Sequence, residues 1–410
     1  MKSKFRLGDL CEFHRGASVP RARMSAYGDL IYIHYGDLYK GFSIKIDVEN
    51  PQKNLPFISK QEPIKQHQWL EDQDIVYVLT SETVEDLGHS FLFNNPEQRP
   101  AVAGTETTIV RVVRRDLLLP AYLNYVMHSP RFCALLRQYV KGMKVFRVHP
   151  DDVARIEIEA PSLMDQQAVV DTLDALYEKE MLNNRLNDYL AELLDALFVD
   201  MLNDADASWE RLSLLDIASY KNGLAMQKFR PAPGDPGLPV LKIKELGQGA
   251  CAPDSERCAS TIDESVKIHD GNLVFSWSGT LLLDFWAGGD AGLNQHLFKV
   301  TSDRYPSWLY YLWTKHHMDR FIMLAKDRAT TMGHIKRSAL AESEVLIPPV
   351  EQLEVLTRRM QPIVDELIAN KIQSHNLADL RDALLPRLMS GEIDVSKVDL
   401  TQPNNHLCAG

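Results

Sequence analysis

Leu190-Ala191-Glu192-Leu193-Leu194-Asp195-Ala196-Leu197 returns as Leu377-Ala378-Asp379-Leu380-Arg381-Asp382-Ala383-Leu384. The offset of 187 holds over residues 148–202 and 335–389, placing Val153 under Leu340, Pro161 under Pro348 and Asn183 under Asn370. Residues 165–203 contain no Gly or Pro. Alternating steps of four and three join Val169, Leu173, Leu176, Glu180, Asn183, Asn187, Leu190, Leu194, Leu197 and Met201. The second copy reads Leu356, Met360, Ile363, Leu367, Asn370, Ser374, Leu377, Arg381, Leu384 and Leu388. Sustained heptads of this kind predict two long helices packed along a coiled-coil seam. Both seams turn polar at mid-length. If the helices run antiparallel with aligned midpoints, Asn183 and Asn370 come near each other and set the register, the use seam asparagines have in parallel coils. Pro161 and Pro348-Pro349 should stop a strand and launch each helix. Pro386 should kink or end the second helix near Leu384-Leu385, and Gly391 is a natural terminator.

Upstream of each helix the copies match more faintly. Gly8-Asp9-Leu10…Gly16 precedes Leu215-Asp216-Ile217…Gly223 by 207, and Tyr122-Leu123…Tyr125 precedes Trp308-Leu309…Tyr311 by 186. The drift means two lobes of one plan that differ by insertions. Ile31-Tyr32-Ile33-His34-Tyr35, Ile75-Val76-Tyr77-Val78 and Thr108-Ile109-Val110-Arg111-Val112 read as strands of lobe one. Val240-Leu241-Lys242-Ile243, Leu273-Val274-Phe275-Ser276-Trp277 and His296-Leu297-Phe298-Lys299-Val300 do so in lobe two. Helical stretches near 121–140 and 308–324 close the lobes. The expected fold class is α+β: two tandem α/β lobes separated by two long helices packing as an antiparallel coiled coil, with a pseudo-twofold. The boundaries expected are lobe one at 1–160, a central helix at 161–205, lobe two at 206–347, a C-terminal helix at 348–395 and a disordered tail at 396–410.

A chain of 410 residues with 45% apolar and 25% charged residues has the composition of a globular protein with a real core. No apolar run approaches a membrane span, and no apolar stretch follows the charged start Met1-Lys2-Ser3-Lys4-Phe5-Arg6, so neither a membrane segment nor a signal peptide is expected. Five cysteines without a CxxC pair favour reduced thiols and a cytoplasmic location. The net charge of −11 is concentrated in the helices: residues 165–204 carry −8 and 351–394 carry −3. Outside them the chain is neutral, so the acidity belongs to the frame and suits a protein partner, or solvent, better than DNA.

Just after the closing helices both copies place a loop rich in bases and hydrogen-bonding groups. Lobe one has Lys141, Lys144, Arg147 and His149; lobe two has Thr330, Thr331, His334, Lys336 and Arg337. Cations there can neutralise phosphates, and Arg, His and Thr can reach base edges. A solvated surface loop would look similar once; two at matched positions point to nucleic acid. Polar clusters also recur at matched places. Thr80-Ser81-Glu82-Thr83 answers Trp277-Ser278-Gly279-Thr280, and Gly104-Thr105-Glu106 answers Asn294-Gln295-His296; any one of these alone is more often structural than functional. Catalytic motifs are wanting. Gly247-Gln248-Gly249-Ala250-Cys251-Ala252 fits G-x-G-x-x-A, but Pro253 follows and no helix should begin there. No P-loop, H-E-x-x-H or G-x-S-x-G is present. His316-His317 beside Trp313 suits a structural role better than a metal pair. No catalytic residue, cofactor or metal is expected in the chain itself.

The C-terminal run Leu380-Arg381-Asp382-Ala383-Leu384-Leu385-Pro386-Arg387-Leu388-Met389-Ser390-Gly391-Glu392-Ile393 resembles the closing signature of the specificity subunits of type I restriction-modification systems. Ile347-Pro348-Pro349-Val350-Glu351-Gln352 resembles their proline-glutamine helix entry, which the first copy replaces with Ser162-Leu163-Met164-Asp165-Gln166. The stretch from Gly271 to Thr280, Leu293-Asn294-Gln295-His296 and Thr331-Met332-Gly333-His334-Ile335-Lys336 are similar to target-recognition motifs. The resemblance spans essentially the whole chain. It implies that each lobe is a target recognition domain reading half of a split double-stranded DNA sequence. It also implies that the helices set the spacing and dock two methyltransferase subunits, with a restriction subunit joining them. S-adenosylmethionine, ATP and Mg would belong to those partners. The rival readings are a single-chain nuclease or methyltransferase with a divergent site, and a repeat scaffold that never touches DNA.

Overall fold

Two helices of 41 residues, Leu163–Asn203 and Val350–Ser390, form the frame of the computed structural model. The structure describes residues 3–38, 42–48, 55–84, 87–326 and 334–393. By contacts the chain divides into two units, Met1–Leu176 with Leu380–Gly410 and Tyr177–Asp379, so each long helix contributes to both. Every seam position expected from the heptads is buried or half-buried. Within the second unit Asn183 Nδ2 donates to Gln373 Oε1 at 2.8 Å and Asn187 Nδ2 donates to the Leu367 carbonyl at 3.3 Å. Numbers rise on one helix as they fall on the other, so the pair is antiparallel, as the repeat predicts. The register differs from a direct Asn183–Asn370 pairing. Asn183 takes Gln373, and Asn370 is buried in the same seam with its Nδ2 unpartnered among the described residues.

Pro386 does not end the second helix, nor does Pro362 interrupt it. Both rings face outward, while Met360, Val364, Leu385 and Leu388 are buried beside them. An interior proline costs about 3 kcal/mol, and burying two or more such side chains at about 1.5–3 kcal/mol each offsets it. Termination falls to Gly391, at φ 78°, where Gly391 N–H bonds to Leu388 O at 3.1 Å and Glu392 N–H to Arg387 O at 3.0 Å.

The first unit holds a five-stranded sheet in the order Cys11–Arg15, Thr107–Val112, Ile75–Val78, Ser90–Asn94, Lys45–Asp47. A three-stranded sheet of Phe57–Ile58, Leu30–Ile33 and Ala101–Ala103 lies in the same unit. Ile31, Ile33, Val76, Val78, Phe91, Phe93 and Ile109 form its core, which explains the near-continuous apolar runs of those strands. The helical stretch near 121–140 is two helices, Pro120–His128 and Pro130–Arg137. Ser129 breaks it, its hydroxyl accepting from Phe132 N–H at 3.3 Å as an N-cap ahead of Pro130.

The second unit repeats the plan. Its sheet order is Ser219–Asn222, Leu297–Thr301, Leu273–Ser276, Leu283–Phe285, beside a second sheet containing Leu238–Leu241 and Ala291–Leu293. Trp308, Phe275, Phe298, Tyr220 and Phe321 pack with Leu194, Met360, Val364 and Leu367 of the long helices into one core. Each lobe is closed by a ribbon joining its first strand to its last. Ser3–Arg6 pairs with Glu157–Ala160 in one lobe, and Glu210–Ser213 with Glu344–Ile347 in the other. The G-x-G-x-x-A match falls at the end of the helix Ile243–Gln248, where Gly249 caps it at φ 74°; no helix N-terminus is present to hold a pyrophosphate.

Candidate nucleic-acid interface

In lobe one the loop after the closing helices folds back on itself. Lys141 N–H bonds to Arg147 O at 2.9 Å, Arg147 N–H returns to Lys141 O at 2.8 Å, and Lys144 projects from the turn between them. Phe146–Arg147 then pairs with Thr80–Ser81, placing Arg147 opposite Thr80. His149 stands at the N-terminal boundary of the short helix Pro150–Ala154. Its Nε2 accepts from Arg15 Nη2 at 2.9 Å, which leaves the other ring nitrogen facing Asp151 Oδ2 at 3.3 Å. The expected residues Thr80, Lys141, Arg147 and His149 therefore line one cavity of about 690 Å³, together with Arg15, Arg155 and Glu106, and Ser81 adjoins it. Lys141 is held by Asp152 at 3.3 Å, and Asp152 also takes Arg155 at 3.1 Å. Lys144 and Arg147 are exposed and form no ion pair among the described residues.

Lobe two uses the same position for different side chains. Ser278 bridges His334 as Thr80 bridges Arg147, and Arg147 and His334 are 187 apart. Ile335 N–H bonds to Trp277 O at 3.0 Å and fixes the returning chain. Ser278 Oγ lies 3.0 Å from His296 Nδ1, and Gln295 Nε2 lies 3.3 Å from His296 Nε2. The Trp277 ring sits 5.9 Å from His296 and 6.3 Å from His334, and its Nε1 donates to Asn222 Oδ1 at 2.9 Å. Asn294 orients His296 through a 3.2 Å bond from the His296 backbone N–H to Asn294 Oδ1. Lys336 opens the helix Arg337–Ala341, and Arg337 Nη1 donates to Tyr220 O at 3.4 Å. Trp277, Ser278, Asn294, Gln295, His296 and His334 thus converge, while Lys336 and Arg337 follow along the chain outside that group. Thr330 and Thr331 lie outside the described residues.

Two members went unread in the sequence: Arg15 and Asn222. Each precedes the matched glycine, Gly16 or Gly223, and each contacts a reader residue, His149 or Trp277. A Cβ at Gly16 would meet Gly104 O at 2.1 Å, and one at Gly223 would meet Leu293 O at 2.2 Å. Only glycine lets these strands close on the turns that follow Ala101–Ala103 and Ala291–Leu293. The repeated glycine was the signal that could have located Arg15 and Asn222. His316 and His317 are structural: they pack on Trp313, and burial lowers the His317 pKa while its Nε2 lies 2.9 Å from Glu344 O. Among the described residues no helix is long and apolar enough to cross a membrane, and no cluster of His, Cys, Asp or Glu could hold a metal ion.

Residues 2–192 match the family described as "Type I restriction modification DNA specificity domain". The chain is 24% identical over 317 residues to the type I restriction enzyme MjaIX specificity subunit of Methanocaldococcus jannaschii, covering 70% of this chain and 72% of that protein. It is 18% identical to the HindI specificity subunit of Haemophilus influenzae, covering 91% and 96%. A crystal structure of a type I restriction-modification system S subunit from M. genitalium superposes with a TM-score of 0.57 at 13% identity, over 95% of this chain and 96% of that one. The two share a fold.

Proposed function

We infer that the chain is a specificity subunit of a type I restriction-modification system, since residues 2–192 carry that family's domain and residues 206–390 repeat its plan of lobe and long helix. It is a sequence-specific DNA-recognition subunit and supplies no chemistry of its own. We propose that each lobe reads one half of a bipartite double-stranded target through the paired segments Thr80–Ser81 with Phe146–Arg147, and Ser278 with His334. One observation carries this: an identical backbone position in both lobes presents arginine in one and histidine in the other. A constant frame with interchangeable side chains is what a reader of two different half-sites requires.

The helices would set the gap between half-sites and dock two methyltransferase subunits, with a restriction subunit joining the assembly in the cytoplasm. S-adenosylmethionine, ATP and Mg would be held by those partners. An exposed apolar stripe, Leu182, Leu186, Tyr189 and Leu193, runs at helical spacing along the first long helix and is bordered by Glu178, Asp188 and Glu192. It suits a partner helix with an apolar face and flanking cations. Mapping methylated adenines in cells carrying this chain with its partners tests the proposal. A split motif that disappears when this chain is deleted is expected. Methylation that persists without it would refute the assignment.

A further inference from the structure

The turn joining Ala101–Ala103 to Thr107–Val112 holds a carboxylate where the backbone favours glycine. Glu106 has φ 59°, and it is the third residue of a turn closed by Thr107 N–H to Gly104 O at 3.2 Å. Gly or Asn is usual where a turn needs positive φ at that position. The turn is clamped from the core. Thr105 N–H donates to the hydroxyl of fully buried Tyr32 at 2.9 Å, and that hydroxyl donates to Ala17 O at 2.7 Å. Glu106 is therefore presented, exposed, by a fixed turn at the lobe-one cavity among Arg15, Lys141, Arg147 and Arg155. The other carboxylates lining that cavity are engaged, Asp152 by Lys141 and Arg155, Asp151 by His149. Glu106 has no hydrogen-bond or ion-pair partner among the described residues.

A surface that only grips phosphates has no use for a lone carboxylate, which opposes them. A surface that reads bases does. In the major groove a carboxylate accepts from the exocyclic amino group of cytosine or adenine and is repelled by the acceptor edges of guanine and thymine. Lobe two places His296 at the same point, in the turn closed by Leu297 N–H to Asn294 O at 3.0 Å. The same position of the turn thus carries an acceptor at positive φ in one lobe and an imidazole, not at positive φ, in the other. We propose that Glu106 is a specificity-determining residue of lobe one that accepts a hydrogen bond from the exocyclic amino group of a base.

The inference rests on lobe one being a DNA reader. The test uses the complex of this chain with its methyltransferase subunits, bearing Glu106→Gly or Glu106→Gln, on target duplexes with each of the four bases at every half-site position. Glycine suits positive φ, so Glu106→Gly should melt no lower than wild type. It should relax one position of one half-site, with discrimination falling about tenfold. The base preferred there by wild type tells cytosine from adenine. Glu106→Gln should shift the preference towards adenine, whose N6 and N7 match a carboxamide. If Glu106→Gly does not assemble, Glu106→Asn, which tolerates positive φ, replaces it. An unchanged motif in these variants overturns the proposal, as does a changed salt dependence with an intact motif. Lys144→Ala/Arg147→Ala separates the two levels. If that pair weakens binding while Glu106 variants keep the motif, only the Glu106 role falls. If neither has any effect, lobe one is not the reader and both fall.

Discussion

Replacing Lys144 and Arg147 with alanine should flatten the salt dependence of DNA binding by a calculable amount. Both side chains are exposed without ion pairs, whereas Lys141 is already held by Asp152, so two full phosphate contacts are at stake. Each neutralised phosphate of B-DNA contributes about 0.9 to the slope of log affinity against log salt, so the double variant should lose about 1.8 of slope. Between about 50 and about 200 mM salt, wild type should then lose about twelvefold more affinity than the variant. Fluorescence anisotropy on a duplex carrying the target, with the assembled complex at four salt concentrations, measures both slopes. The variant should bind more weakly at low salt and approach wild type at high salt. A slope equal to that of wild type would show that these cations face no phosphate, and the interface placed here would be wrong.

Exchanging residues 206–345 for the corresponding lobe of a type I specificity subunit should change one half of the methylated motif and leave the other intact; both halves changing together would contradict independent reading. Inserting four residues after Ala191, about one helical turn, should alter the unread gap between half-sites, and an unchanged gap would remove the ruler role of the helices. His128 supplies a pH test. Burial lowers its pKa to about 4, and its Nε2 lies 2.8 Å from Ser90 O. Below the ordinary histidine pKa the unfolded chain takes up a proton that the folded one refuses, so stability falls as pH drops from about 6.5 towards 4, by up to roughly 3 kcal/mol. Urea unfolding at pH 7 and 4.5 should show this loss in wild type and much less of it in His128→Gln; equal losses would place the sensitivity elsewhere.

Some of this protein is local and periodic, and the residues alone determine it. Heptads from Val169 to Met201 and from Leu356 to Leu388 specify amphipathic helices because burial follows the 3.6-residue turn, whichever partner covers the seam. The offset of 187 made the internal repeat legible, and with it the equivalence of Arg147 and His334. Gly391 ended its helix as glycine at that position does. Other features depend on contacts between residues distant in sequence. Pro386 reads as a breaker, yet Leu385 and Leu388 find a covered face and the helix continues past it. The partner of Asn183 is Gln373 rather than Asn370, because the antiparallel register is set by the summed packing of two whole seams and not by one polar pair. Arg15 meets His149 across 134 residues, and Asn222 meets Trp277 across 55. No local pattern encodes such meetings, since they exist only once strands from opposite ends of a lobe are paired and a glycine has let the turn close upon them.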